Sequence, residues 1–178
     1  TRRSSEIGRA SCRERVYTCL EAFGGQIYAG GVFTQSGSSA VSGIARWSGS
    51  AWVPVGGSLG TVFDMCVWNN QLVACGELSG SVTGRVAVFN GTSWATLGAA
   101  PNDQVNALAV HNGELYIGGL FTTAGGFGAK SRVARWTGSA WGIVGPSSSN
   151  NGVDGDVSDM ISFNGELYVA GSFSNASG

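Results

Sequence analysis

The 178-residue sequence predicts an all-β fold assembled from four-stranded antiparallel units. Three observations predict it. Thirty glycines stand against three prolines, with few charges, a composition that favours short strands and tight turns over helices. A phrase built around a two-residue turn occurs four times, and a second phrase with two aromatics five residues apart occurs three times.

The first phrase reads FGGQIYAGGVF (23–33), WNNQLVACGEL (68–78), HNGELYIGGLF (111–121) and FNGELYVAGSF (163–173). Its turn pairs are Gly24-Gly25, Asn69-Asn70, Asn112-Gly113 and Asn164-Gly165. A type I′ hairpin needs positive φ at both central residues, and Gly and Asn tolerate it. Each pair is flanked by alternating apolar residues, so each phrase is a hairpin.

The second phrase reads IARWSGSAW (44–52), VAVFNGTSW (86–94) and VARWTGSAW (133–141). Around a Gly-containing turn this spacing sets Trp47 opposite Trp52, Phe89 opposite Trp94, and Trp136 opposite Trp141. Cross-strand aromatic pairs add roughly 0.2–1 kcal/mol each. One unit is therefore two hairpins, or four strands.

The anchors Gln26, Gln71, Glu114 and Glu166 lie 45, 43 and 52 residues apart, within the range of propeller blades. In residues 107–118, Leu108, Val110, Leu115 and Ile117 alternate onto one face and Ala107, Ala109, Tyr116 and Gly118 onto the other. A sheet apolar on both faces must be covered on both, and stacked neighbours do this where no segment has a helical period. The expected architecture is a partial β-propeller of about three and a half four-stranded blades, over approximately 17–60, 61–103, 104–155 and an incomplete 156–178. A ring takes four to eight blades, so the sequence is expected to be a fragment whose missing blades complete it.

The pattern V-x-A-L…N-G-x-L-Y-x-G-G-x-F…I-A-R-W-x-G-x-x-W…L-G resembles the kelch-type, galactose-oxidase-like propeller repeats of secreted bacterial proteins, and similar repeats occur in fungal cell-polarity proteins. The second unit departs from it, with Cys75-Gly76 in place of the Gly doublet and Val88-Phe89 in place of Arg-Trp. The WD40 signature is absent. The resemblance implies a secreted or cell-surface location.

Residues 1–16 carry Arg2, Arg3, Arg9, Arg13 and Arg15 against Glu6 and Glu14. Such a tail could suggest nucleic acid or anionic lipid, but EIGRASCRERV (6–16) resembles a translated sequencing adapter. The tail and Cys12 are therefore set aside as artefactual, and no nucleic-acid partner is expected. No apolar run has the length of a membrane span. Cys19, Cys66 and Cys75 form no CxxC pair. Cys66 and Cys75 sit diagonally across a hairpin, roughly 7–8 Å apart, beyond disulfide reach. All three read as small buried apolar residues.

Repetition bears on function, because a residue present in every unit is explained by packing, whereas a catalytic group is needed once. This accounts for the Trp, Tyr, Asn-Gly and Gly-Gly positions. Arg46 and Arg135 share one position and are expected to bond loop carbonyls between blades. Asp64 and Asp159 share another and read as structural. His111 fills the slot held by Phe23, Trp68 and Phe163, and one histidine cannot support copper chemistry of the galactose-oxidase type. The turns SGS, NGT and TGS lack the aspartate of a sialidase Asp-box. Asn90 and Asn175 begin glycosylation sequons. The D-x-D of Asp154 and Asp156, in the irregular stretch 145–159, is a weak metal-site candidate.

The expected function is thus a non-catalytic binding or interaction module, with no cofactor. Protein or carbohydrate partners would be met through loops 34–43, 79–85, 122–132 and 145–155. The alternatives are a carbohydrate-active enzyme whose catalytic residues lie in missing blades, and a structural adhesin segment.

Overall fold

The structure, a computed structural model, describes residues 18–36, 39–125, 127–128, 132–144 and 152–177. The adapter-like segment, Cys12 and the arginine cluster lie outside the described residues, as do parts of the loops at 122–132 and 145–155.

All regular structure among these residues is β. The first unit runs through β1 (Thr18–Phe23), β2 (Gln26–Gly31), a ribbon of β3 (Gln35–Ser36) and β4 (Ser39–Ala40), then β5 (Ile44–Trp47) and β6 (Trp52–Pro54). Its sheet order is β1-β2-β5-β6. The second unit is β7 (Gly60–Trp68), β8 (Gln71–Leu78), β9 (Gly84–Phe89) and β10 (Trp94–Thr96), paired in sequence. The third comprises β11 (Val105–His111), β12 (Glu114–Gly119), the ribbon β13 (Thr123–Ala124) with β14 (Phe127–Gly128), β15 (Val133–Trp136) and β16 (Trp141–Ile143), ordered β11-β12-β15-β16. The fourth pairs β18 (Asp156–Phe163) with β19 (Glu166–Ser172), beside a ribbon of β17 (Gly152–Val153) and β20 (Ala176–Ser177). All strand pairings are antiparallel and every sheet is open.

The turn chemistry is as the sequence predicts. Asn69 and Asn70 hold φ of 48° and 57°, Gly24 and Gly25 of 56° and 74°, Asn112 and Gly113 of 51° and 81°, and Asn164 and Gly165 of 50° and 81°. The aromatic pairs also face one another, with ring centroids 5.4 Å apart for Trp47–Trp52, 5.0 Å for Phe89–Trp94 and 4.9 Å for Trp136–Trp141.

The sheets stack face to face in chain order. Tyr28, Ile44 and Val55 of the first sheet share a core with Met65, Leu72, Ala87 and Trp94 of the second. Val73, Cys75 and Val86 on the second sheet's other face pack against Leu108, Leu115, Ile117 and Trp141 of the third. Ala107, Ala109 and Tyr116 then meet Val157 and Met160 of the fourth. The two faces assigned to residues 107–118 thus enter two different cores. The first strands of the units run beside one another, β7 against β1 and β11, and β11 against β18.

The Gly doublet has a packing reason. A Cβ on Gly30 would lie 2.6 Å from Val62 Cγ1, and one on Gly118 would lie 2.5 Å from Val157 Cγ1. The first valine of each following sheet occupies the place where a side chain would stand.

Candidate functional site

Three kinds of contact, each recurring at equivalent positions, join consecutive units. In the first kind, an indole reaches back. Trp94 Nε1 donates to the carbonyl of Val55 at 3.0 Å, and Trp141 Nε1 to that of Leu97 at 3.3 Å. The glycine after each acceptor lies under the aromatic pair of the next unit. A Cβ on Gly56 would sit 2.8 Å from both Phe89 Cε2 and Trp94 Cδ1, and one on Gly98 would meet the Trp136 ring.

In the second kind, a carboxylate bridges first strands. A register shift between Val62 and Asp64 turns Asp64 so that Oδ1 accepts from its own neighbour, Met65 N–H, at 2.8 Å. Its Oδ2 accepts Leu108 N–H of the next unit, also at 2.8 Å. Burial pushes the Asp64 carboxyl up to about 6; the bonds from Leu108 and Met65 oppose this, and the charges of Asp159 and Glu21 add to it. Asp159 follows the equivalent shift and accepts Met160 N–H at 2.8 Å. Among the described residues nothing pairs with its second oxygen. In the third unit this position is Ala107, and the shifted residue Asn106 instead donates to Val157 O at 2.8 Å.

In the third kind, the last residue of a first strand reaches forward. Trp68 Nε1 donates to Gly113 O at 2.9 Å. His111 occupies the same slot, with Nδ1 3.0 Å from Ser162 Oγ and Nε2 3.0 Å from Asn112 Nδ2. The amide donates to Nε2, so the proton resides on Nδ1 and is given to the serine. The ring also stands edge-on to Tyr116 at 5.8 Å. His111 is thus held as a part-buried packing residue.

The remaining candidates separate rather than converge. Asp154 and Asp156 are adjacent in the D-x-D but face different partners. Asp154 Oδ1 accepts Ser174 N–H at 2.8 Å and Asn175 N–H at 3.0 Å, and its Oδ2 accepts Asn175 Nδ2 at 2.8 Å. Those bonds, Asn175's first, hold its carboxyl below the usual range. Asp156 Oδ1 pairs with Arg132 Nη1 at 2.8 Å, and the same Nη1 donates to the Leu120 carbonyl. No group of three metal-ligating side chains occurs among the described residues.

The arginines correct the expectation. Among the described residues, Arg46 and Arg135 bond no loop carbonyl between units. Arg46 Nη1 donates to Gln26 Oε1 at 2.6 Å, and Arg135 Nη1 to both Glu114 oxygens at 3.0 Å. The register Tyr28↔Arg46 and Tyr116↔Arg135 places residues 26 and 114 one diagonal step away on the same face, within reach of a long side chain. Of the three arginines, it is Arg132, which the repeat pattern did not single out, that reaches from the third unit to the fourth.

The three described cysteines are free: Cys75 is fully buried, and Cys19 and Cys66 are part-buried. Burial first, and then the Asp64 charge, pushes the thiols of Cys19 and Cys66 up to about 12. Asn90 and Asn175, the sequon residues, are both exposed at turns.

The two outermost sheet faces lack a neighbour among the described residues. In the slot that begins the apolar face, Met65, Leu108 and Met160 are at most 6% exposed, while Leu20 is 59% exposed. In the forward slot Tyr28 and Tyr116 are 5% and 8% exposed, while Tyr168 is 49% exposed. Ile27, Ile161 and Phe163 extend these two open surfaces. An unclosed arc of stacked sheets leaves its terminal faces exposed, and the residue types there are those of covered positions.

No family model matches the chain, and no curated protein does. Among the described residues no helix is long and apolar enough to cross a membrane.

Proposed function

We propose that the chain is part of a β-propeller that serves as a non-catalytic binding or interaction module of a secreted or surface bacterial protein. Stacking of sheets through both faces, with first strands side by side, supports the propeller reading. The kelch-like phrase supports the location.

One observation carries the functional reading. The side chains with the most chemical potential are engaged in contacts within and between units: Asp64 by two backbone N–H groups, Asp156 by Arg132, Glu114 by Arg135 inside the third sheet, and His111 by Ser162. What differs between units is the link from second strand to third. It contains a ribbon in the first and third units and a short connection, Ser79–Thr83, in the second. In a repeat scaffold, recognition belongs to such variable loops, and the partner class is a carbohydrate or a protein.

The test is a glycan and peptide array probed with the purified chain, followed by turnover assays on any glycan bound. Binding without turnover, abolished when the Gln35–Ala40 ribbon is replaced by the Ser79–Thr83 connection, is the expected result. Hydrolysis or oxidation of a bound sugar would overturn the non-catalytic reading.

A further inference from the structure

We propose that Asn90 is a site of N-linked sugar attachment and that Asn175 is not, although each begins an Asn-x-Ser/Thr triplet. The inference goes beyond the binding reading and is independent of which partner the loops meet.

The turns between the third and fourth strands of the first three units do the same work with different side chains. In the first, Ser48 Oγ accepts Ala51 N–H at 3.1 Å and donates to Ala51 O at 2.8 Å. In the third, Thr137 Oγ1 makes the same two bonds with Ala140, at 3.2 and 2.8 Å. In the second, Asn90 Oδ1 accepts Thr92 N–H and Ser93 N–H, both at 2.9 Å. The turn therefore requires one side-chain oxygen. Asn90 supplies it and adds an amide nitrogen for which the turn has no need. Among the described residues that Nδ2 meets only Ser93 Oγ, 3.3 Å away. Residues 90–93 are all exposed, and a Cβ on Gly91 would have nothing within 4 Å.

Asn175 is exposed too, but its nitrogen is already held. Its Nδ2 donates to Asp154 Oδ2 at 2.8 Å, while Asp154 Oδ1 accepts the N–H groups of Ser174 and Asn175. Attachment from a nucleotide-diphosphate hexose breaks the anomeric C–O bond, whose electron pair leaves with the diphosphate. A bond forms from Nδ2 to the anomeric carbon, and Nδ2 gives one of its two protons to a base of the transferase. For its lone pair to attack, the amide must turn out of conjugation. Asn90 gives up a 3.3 Å contact in doing so, whereas Asn175 gives up a bond to a carboxylate, the stronger class. The position is also clear of the variable links. Phe89 pairs with both Leu72 and Trp94, so residues 90–93 stand beside the Asn69-Asn70 turn, at the end of the sheet opposite Ser79–Thr83.

The test offers the folded, purified chain to an N-glycosyltransferase specific for such triplets, together with a nucleotide-activated hexose. The enzyme is first chosen to modify synthetic peptides of residues 86–96 and 171–178 equally, so that any difference in the chain belongs to its fold. Peptide mass spectrometry is expected to find the hexose on Asn90 at a rate about tenfold or more above that on Asn175, the worth of one charge-assisted hydrogen bond. Asn90→Ser, which installs the side chain used in the first unit, and Thr92→Ala are each expected to abolish labelling at this turn. Asn90→Ser is further expected to keep the melting temperature within about 2 °C of the wild type. Asp154→Ala frees the Asn175 amide and is expected to raise labelling there. A folded chain left unlabelled at Asn90, or labelled as fast at Asn175, would overturn the proposal, as would a hexose on Asn90 that unfolds the chain.

Discussion

The indole N–H of Trp94 donates to the carbonyl of Val55, 3.0 Å away in the preceding unit, while its ring lies over Gly56. This contact joins sequence-distant hairpins at a buried position, so its removal reads out the strength of one interface. Trp94→Phe keeps the ring but orphans the carbonyl, at an expected cost of about 1–3 kcal/mol. Trp52→Phe alters the same slot in the first unit, where no described sheet stands ahead of it, and is expected to change stability by about 0.5 kcal/mol or less. Urea unfolding of the two variants checks the contrast, and equal losses would contradict it.

Glycines of similar conformation should differ in their tolerance of a side chain. Gly56 has φ of 63° with two aromatic atoms 2.8 Å from a would-be Cβ, whereas Gly49 has φ of 100° and open space. Gly49→Ala meets only the backbone penalty, about 1 kcal/mol. Gly56→Ala must also displace the Phe89–Trp94 pair, adding roughly 1–3 kcal/mol. Melting temperatures should fall further for Gly56→Ala, by several degrees.

Asp64 should make stability fall as pH rises. Its carboxyl ionises near the ordinary 3.8 when unfolded and at about 6 when folded. The native state therefore binds the extra proton between these values, and stability declines from about pH 4 to about pH 6 before levelling. Asp64→Asn cannot ionise, so its denaturation midpoint should lack this decline, although it loses one accepted N–H. The difference between the two pH profiles isolates the group; parallel profiles would contradict it.

Thiol chemistry offers a further check. With the thiols of Cys19 and Cys66 pushed up to about 12, little thiolate exists at pH 8. Iodoacetamide should label Cys19, Cys66 and Cys75 slowly in the native chain and rapidly in urea, as counted by peptide mass spectrometry. Rapid native labelling at Cys66 would show that the second and third sheets separate readily.

Much of this organisation is legible in short stretches of sequence. The positive φ at Asn69 and Asn70, the facing of Trp136 and Trp141, and the two faces of 107–118 depend on residues a few positions apart. The ribbons β3–β4, β13–β14 and β17–β20 were not legible, because two-residue strands carry no periodicity. The partners of Arg46 and Arg135 depend on a diagonal offset between strands, and the separation of Asp154 from Asp156 on which loop and which arginine each one meets.

The sequence by itself determined the turns, the pairings within each unit and the need for a cover on both sides of every sheet, since these follow from backbone sterics and alternation along one strand. Only the tertiary structure decided that Asp64 would give its second oxygen to Leu108, and that Arg132 would reach from the third unit to the fourth. Such relations join residues tens of positions apart, and their geometry exists only once one sheet has come to rest against the next.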